Sequence, residues 1–206
     1  MEWNALLRDQ LDFHWRHQLR PRLEGLTDEE YLWEPVPDCW SIRRRSAKGS
    51  GPKGSGPKGS GPKGSGPNGG GDANGGEDGL VIDWEYPAPE PAPVTTIAWR
   101  LGHLIVGVLG MRVAGHFGGE PMSYGTFPWA ATASSALDQL DGAYRKWHEG
   151  VGTRSERDLL EACGPAEGAW GDQPMAVLIL HINREVIHHG AEIALLRDLY
   201  RRSVAR

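Results

Sequence analysis

From Pro174 to Arg202 the chain reads PMAVLILHINREVIHHGAEIALLRDLYRR, and this stretch decides the fold. Its length and its Leu, Ile and Val content predict one long final helix, with Pro174 near the first turn, where a missing N–H is tolerated. Leu178, Ile182, Ile193 and Leu196 share a face at helical spacing. Glu185 and His189 are four apart on that face, with Cβ atoms about 5–6 Å from each other. Two ligand-type side chains therefore interrupt an apolar stripe. A carboxylate there is costly unless it is paired or bound to a cation, and imidazole is the commonest transition-metal ligand. Taken alone, the pair is a weak signal for metal, since a hydrogen-bonded ion pair satisfies the same geometry. His188 points about 100° away and reads as a rim or packing residue.

Working outward, Thr95 or Thr96 caps a helix running to about His116, with Ile97, Leu101, Leu104, Ile105 and Val108 as its stripe. On a neighbouring face His103, Gly107, Gly110 and Ala114 stand in line. Each mid-helix glycine costs up to ~1 kcal/mol. The small residues therefore predict either a close helix approach or room beside the imidazole for a bound group. His103 offers a third ligand from a second helix.

The amino-terminal segment from Trp3 to about Leu23 carries Trp3, Leu7 and Leu11 at helical spacing, and His14 continues the line into the interior. Thr27 with Asp28, Glu29 and Glu30 starts a short helix containing Tyr31 and Leu32. Ser134 or Ser135 opens another main helix striped by Leu137, Leu140, Ala143, Tyr144 and Trp147, and Thr153 to Cys163 reads as a further short helix. No strand alternation of useful length appears. The count predicts an all-α, antiparallel four-helix bundle with short extra helices.

Residues 46–79 stand apart. They hold 14 of the 29 glycines and, from Lys48 to Pro67, four tandem copies of Lys-Gly-Ser-Gly-Pro. No side chain there can offset the entropy of ordering, so a flexible insertion into one domain spanning 1–206 is expected. The remaining length suffices for a core without disulfides or a structural metal. Cys39 and Cys163 lack metal or redox spacing and read as reduced thiols. A net charge of -5 argues against nucleic acid as a partner. No apolar run is expected to reach the ~18 residues of a membrane span, and the amino terminus lacks a secretory pattern, so the cytoplasm is the expected compartment.

Trp99-Arg100-Leu101-Gly102-His103-Leu104, followed distally by Glu185-x-x-x-His189, resembles the DinB-like superfamily. Tyr31-Leu32-Trp33-Glu34-Pro35-Val36-Pro37 with Cys39-Trp40-Ser41 is similar to that family's stretch after the first helix. The resemblance implies a four-helix bundle holding one divalent metal, zinc or nickel, through His103, Glu185 and His189. Many members have histidine where Glu185 stands and Arg-Gly-Gln where this chain has Gly190-Ala191-Glu192. Glutamate here is more similar to the branch containing mycothiol-dependent maleylpyruvate isomerase, whose zinc set is His/Glu/His. Those isomerases carry a further C-terminal domain that this chain is expected to lack, so maleylpyruvate is not its expected substrate.

Two neutral imidazoles and one carboxylate leave a divalent ion with net positive charge and an open position, as in catalytic zinc sites. The resemblance implies that the activated group is a low-molecular-weight thiol such as mycothiol or bacillithiol, used for S-transfer to a small electrophile or for isomerisation. His14 is the candidate proton shuttle or substrate contact. The competing reading is a catalytically silent metal-binding or interaction bundle, and a homodimer is compatible with either.

Overall fold

The computed structural model describes residues 2–45, 79–85, 87 and 89–205. The Lys-Gly-Ser-Gly-Pro repeat and almost all of the expected 46–79 insertion lie outside the described residues.

Helix α1 is continuous from Trp3–His14 through a π-helical stretch, Trp15–Leu19, into Arg20–Arg22. Its buried line is Leu11, His14, Trp15 and Leu19, whereas Trp3 stays exposed. The short helix α2 (Asp28–Tyr31) is capped by Thr27, whose side chain accepts from the Glu30 amide. Helix α3 runs Ile97–Phe117 and is π-helical from His103 to Gly110. Thr96 caps it by accepting from the Trp99 amide, and Gly118 ends it at φ 75°, a left-handed conformation that glycine adopts without steric cost. Contrary to the sequence expectation, α3 is long and apolar enough to cross a membrane, with 67% of the qualifying window buried in the protein. Its apolarity here lines a core.

Helix α4 (Ala133–Gly152) begins two or three residues earlier than a cap at Ser134 or Ser135 would place it, because Thr132 supplies the cap, accepting from the Ser135 amide. Helix α5 (Met175–Val204) is the long final helix. The expected helix over 153–163 reduces to a 3-10 turn, Asp158–Leu160, and a second 3-10 stretch follows at Pro165–Trp170. Two short strands were not foreseen. β1 (Ile42–Arg44) pairs antiparallel with β2 (Leu80–Ile82), Ile42 opposite Ile82, and both isoleucines lie where a Cβ on Gly102 would meet them. Three residues per strand are too few to register as alternation.

The buried apolar side chains of all four long helices form one cluster, but the helices do not alternate in direction. Asn183 of α5 donates to the Leu7 carbonyl of α1, and Arg22 further along α1 pairs with Asp198 further along α5; these helices run parallel. So do α3 and α4, since Ile105 meets Gln139 across a shared cavity and Phe117 packs on Gly150. The α1/α4 and α3/α5 pairs are antiparallel. Parallel neighbours need a connection that travels back the length of a helix, and residues 118–132 do so along α3. Met122 lies over Gly110, Tyr124 over Gly107 and Trp129 over Gly102. The small-residue face of α3 is thus covered by its own return segment. Cys39 and Cys163 are both free thiols.

Candidate metal centre

The antiparallel crossing of α3 and α5 brings His103 against His189, ring centroids 4.8 Å apart and nearly perpendicular. Glu185, one turn before His189, places Oε2 3.4 Å from His189 Nε2. One donor atom from each of His103, Glu185 and His189 lies within 4.8 Å of the others. His103 and Glu185 are partly buried, and His189 is buried.

Each imidazole has its second nitrogen engaged. His189 Nδ1 lies 2.6 Å from Glu192 Oε2, and a carboxylate can only accept, so Nδ1 carries a proton and Nε2, which faces Glu185, is the nitrogen left for a cation. Arg100 holds Glu192 in turn, at 3.1 Å. The Arg100 guanidinium is also 3.5 Å from His189 Nδ1, but the shorter contact to Glu192 decides the tautomer. His103 Nδ1 lies 2.6 Å from the Tyr124 hydroxyl, leaving Nε2 as its free nitrogen. Burial, reinforced by His189, Arg100 and Arg112, pushes the His103 pKa down to about 3, so the imidazole is neutral at ordinary pH. Burial likewise holds Tyr124 well above the usual phenol range.

This donor set fits a divalent cation on its chemistry: two imidazoles whose Nδ1 atoms are engaged by outer partners and a carboxylate aimed at one of them. His188, His189 and Glu192 form an alternative group, but Arg100 already neutralises Glu192 and His188 is largely exposed. The His103 group is the better candidate.

The residues predicted from sequence are only partly brought together. His14 is buried and does not belong to either converging group among the described residues. Its Nδ1 contacts Gln18 at 2.7 Å, its Nε2 has no hydrogen-bond partner, and a Cβ on Gly190 would stand 3.2 Å from it. Arg197 is 1% exposed and forms a two-point ion pair with Glu30 at 2.7 and 3.0 Å. Of the two readings of the small-residue face beside His103, open room is largely ruled out, because Tyr124 and Met122 fill it. Tyr124, Glu192 and Arg100 were missed. Glu192 was within reach, three residues after His189, but nothing in the sequence signals Tyr124.

Space exists on the other side of Glu185. A cleft of about 630 Å³ lies between α3, α5 and the 163–173 connection, with Arg112, Trp170, Leu178, His181 and Arg184 among its walls. His181 Nδ1 is 3.5 Å from Glu185 Oε1, so cleft and donor cluster share a border.

Residues 81–193, more than half of the chain and all three donor positions, match the family model of the DinB superfamily. The chain belongs to the DinB superfamily. No curated protein and no solved structure matches it. The DinB match begins after α1, so it covers His103, Glu185 and His189 but not His14.

Proposed function

We propose that this DinB-superfamily chain is a metal-dependent enzyme that uses a low-molecular-weight thiol for S-transfer to a small electrophile, or for thiol-assisted isomerisation. The observation that carries the reading is the convergence of His103, Glu185 and His189, with Nδ1 of each imidazole engaged by an outer partner. Zinc or nickel bound there would lower the pKa of a thiol and so supply a thiolate at neutral pH. His103 and His189 would hold the ion through Nε2, and Glu185 through a carboxylate oxygen. Glu192 and Tyr124 keep the two rings turned inward. The adjoining cleft accommodates the electrophile. His14, whose Nε2 lacks a partner, is retained as the residue that would pass on a proton or touch substrate. Two free cysteines suit the reducing cytoplasm in which such thiols are kept.

Metal analysis of protein purified without chelator should give about one equivalent in wild type and a marked loss in His189→Ala. A conjugation assay with mycothiol and bacillithiol against a panel of electrophiles then compares metal-loaded wild type with Glu185→Ala. Full metal loading without thiol-dependent turnover would favour the second reading, a catalytically silent metal-binding bundle. Its specific support is the filling of the α3 glycine face by Tyr124 and Met122.

A further inference from the structure

The cleft bordering Glu185 has a chemistry of its own. Its apolar walls include Val177, Leu178 and Leu180 from α5, with Trp170 opposite. Trp170 is 72% exposed, which leaves much of a large aromatic ring facing solvent where burial is the norm.

The polar groups of the cleft divide into spent and available. Glu167 is spent: it accepts from His116 Nε2 at 2.9 Å and pairs with Arg112 at 3.3 Å. Arg112 is occupied by Glu167 and by the Gly107 carbonyl. Arg184 is different. Its side chain is 70% exposed and its nearest carboxylate, Glu185, is 3.7 Å away, while its Nη2 donates to His181 Nδ1 at 2.6 Å. A guanidinium can only donate, so His181 Nδ1 is the acceptor and the imidazole proton sits on Nε2. This end of the cleft therefore offers donors and a positive charge that Glu185, at 3.7 Å, offsets only in part.

From this arrangement we infer that the cleft binds an amphipathic monocarboxylate, its apolar or ring-bearing body on Trp170, Val177 and Leu180 and its anionic head at Arg184 and the His181 imidazole N–H. Binding needs no metal. Only the further role of such a molecule as the enzyme's substrate rests on the function proposed above.

The test uses 4-phenylbutyrate and its neutral isostere 4-phenylbutyramide, titrated calorimetrically into the full chain. Because a carboxylate can also ligate a metal, the titrations are run on both metal-loaded wild type and metal-free His189→Ala. The carboxylate is expected to bind both forms at least tenfold more tightly than the amide. Arg184→Gln should erase most of that preference, and Trp170→Ala should weaken both probes severalfold. Both substituted residues are largely exposed, so the variants should fold; their melting curves check this. Cys163 lines the same cleft whereas Cys39 is buried, so bound phenylbutyrate should slow alkylation of Cys163 by iodoacetamide, read by peptide mass spectrometry. Equal affinity for acid and amide, an unchanged preference in Arg184→Gln, or binding that leaves Cys163 unprotected would each overturn the inference. Binding confined to the metal-loaded form would also overturn it, while leaving the metal reading intact. Binding to His189→Ala in a protein whose wild type takes up no metal would sustain this inference and remove the other.

Discussion

The hydroxyl of Tyr124 lies 2.6 Å from His103 Nδ1, and the two rings are parallel within 2° at 6.4 Å. This contact exists because Gly107 has no side chain: a Cβ there would collide with the phenol oxygen and come within 2.9 Å of the imidazole nitrogen. A residue with no polar group thus sets the geometry of a candidate ligand. When Nε2 serves a cation, Nδ1 must carry the proton, and the phenol oxygen accepts it.

Tyr124→Phe should therefore lower metal affinity by about 10–100-fold with little change in fold. Gly107→Ala should cause the same loss and in addition destabilise by ~1–3 kcal/mol, the usual cost of overpacking. Competition with a chromophoric chelator, together with thermal melts, measures both. Full affinity in Tyr124→Phe would show the contact to be incidental.

At the second histidine the equivalent partner is Glu192, itself held by Arg100. Glu192→Leu should weaken metal binding by about 10–100-fold while leaving thermal stability without metal nearly unchanged. Arg100→Gln should have a smaller effect in the same direction, since it acts only through Glu192. If Arg100→Gln proves the more damaging change, the proposed order of the relay is wrong.

How much of this was legible in the sequence differs from residue to residue. Glu185 and His189 declare themselves because four residues make one helical turn, and His103 because glycines at the same period leave it conspicuous. Tyr124 meets His103 through a connection without any period, so no spacing rule reaches it. The parallel α1/α5 and α3/α4 pairs were unreadable for a related reason: helix direction is decided by where irregular segments travel. The fate of Arg197 follows from a partner 167 residues away, beyond any local pattern.

That arginine offers a stability test. Arg197→Met leaves the Glu30 carboxylate buried without its cation, and such losses run to ~3–5 kcal/mol. Glu30→Gln combined with Arg197→Met should recover part of the deficit, because no charge is then stranded. Denaturant unfolding of the two variants decides the matter; equal stability would mean that the pair's packing outweighs its charge.

Acid should act through Glu167. Its hydrogen bond to His116, helped by Arg112, holds the carboxyl below its ordinary value of 4.5 despite opposing burial. A depressed carboxylate contributes stability that is complete above the unfolded-state value and is lost as pH falls through the folded one. Melting temperature should thus decline below about pH 4.5, and Glu167→Gln should be less stable at pH 7 but flatter across the acid range. Parallel pH profiles for variant and wild type would exclude Glu167 as a contributor.

The repeat should be removable. The Arg45 amide donates to the Gly79 carbonyl at 2.8 Å, and Arg44 faces Leu80, so the chain entering this stretch and the chain leaving it are already paired. Deleting Lys48 to Gly71 should leave melting temperature and metal content nearly unchanged, since closure cost varies only with the logarithm of loop length. A loss of cooperative unfolding would show that the repeat carries structure.

The return segment over α3 obeys the opposite rule. Two helices pointing the same way fix a minimum distance that residues 118–132 must span, so this connection cannot be trimmed as an ordinary surface loop can. Its midpoint, moreover, is held inside the protein by two absent side chains, at Gly107 and Gly110. A shift of one residue along that track would bring Ser123 or Gly125 to the place of the phenol, and the site would lose a functional group although every helix kept its sequence. Drift in this protein is thus constrained in a connection that carries no regular structure, and a family comparison that discards such connections as variable would discard part of the site.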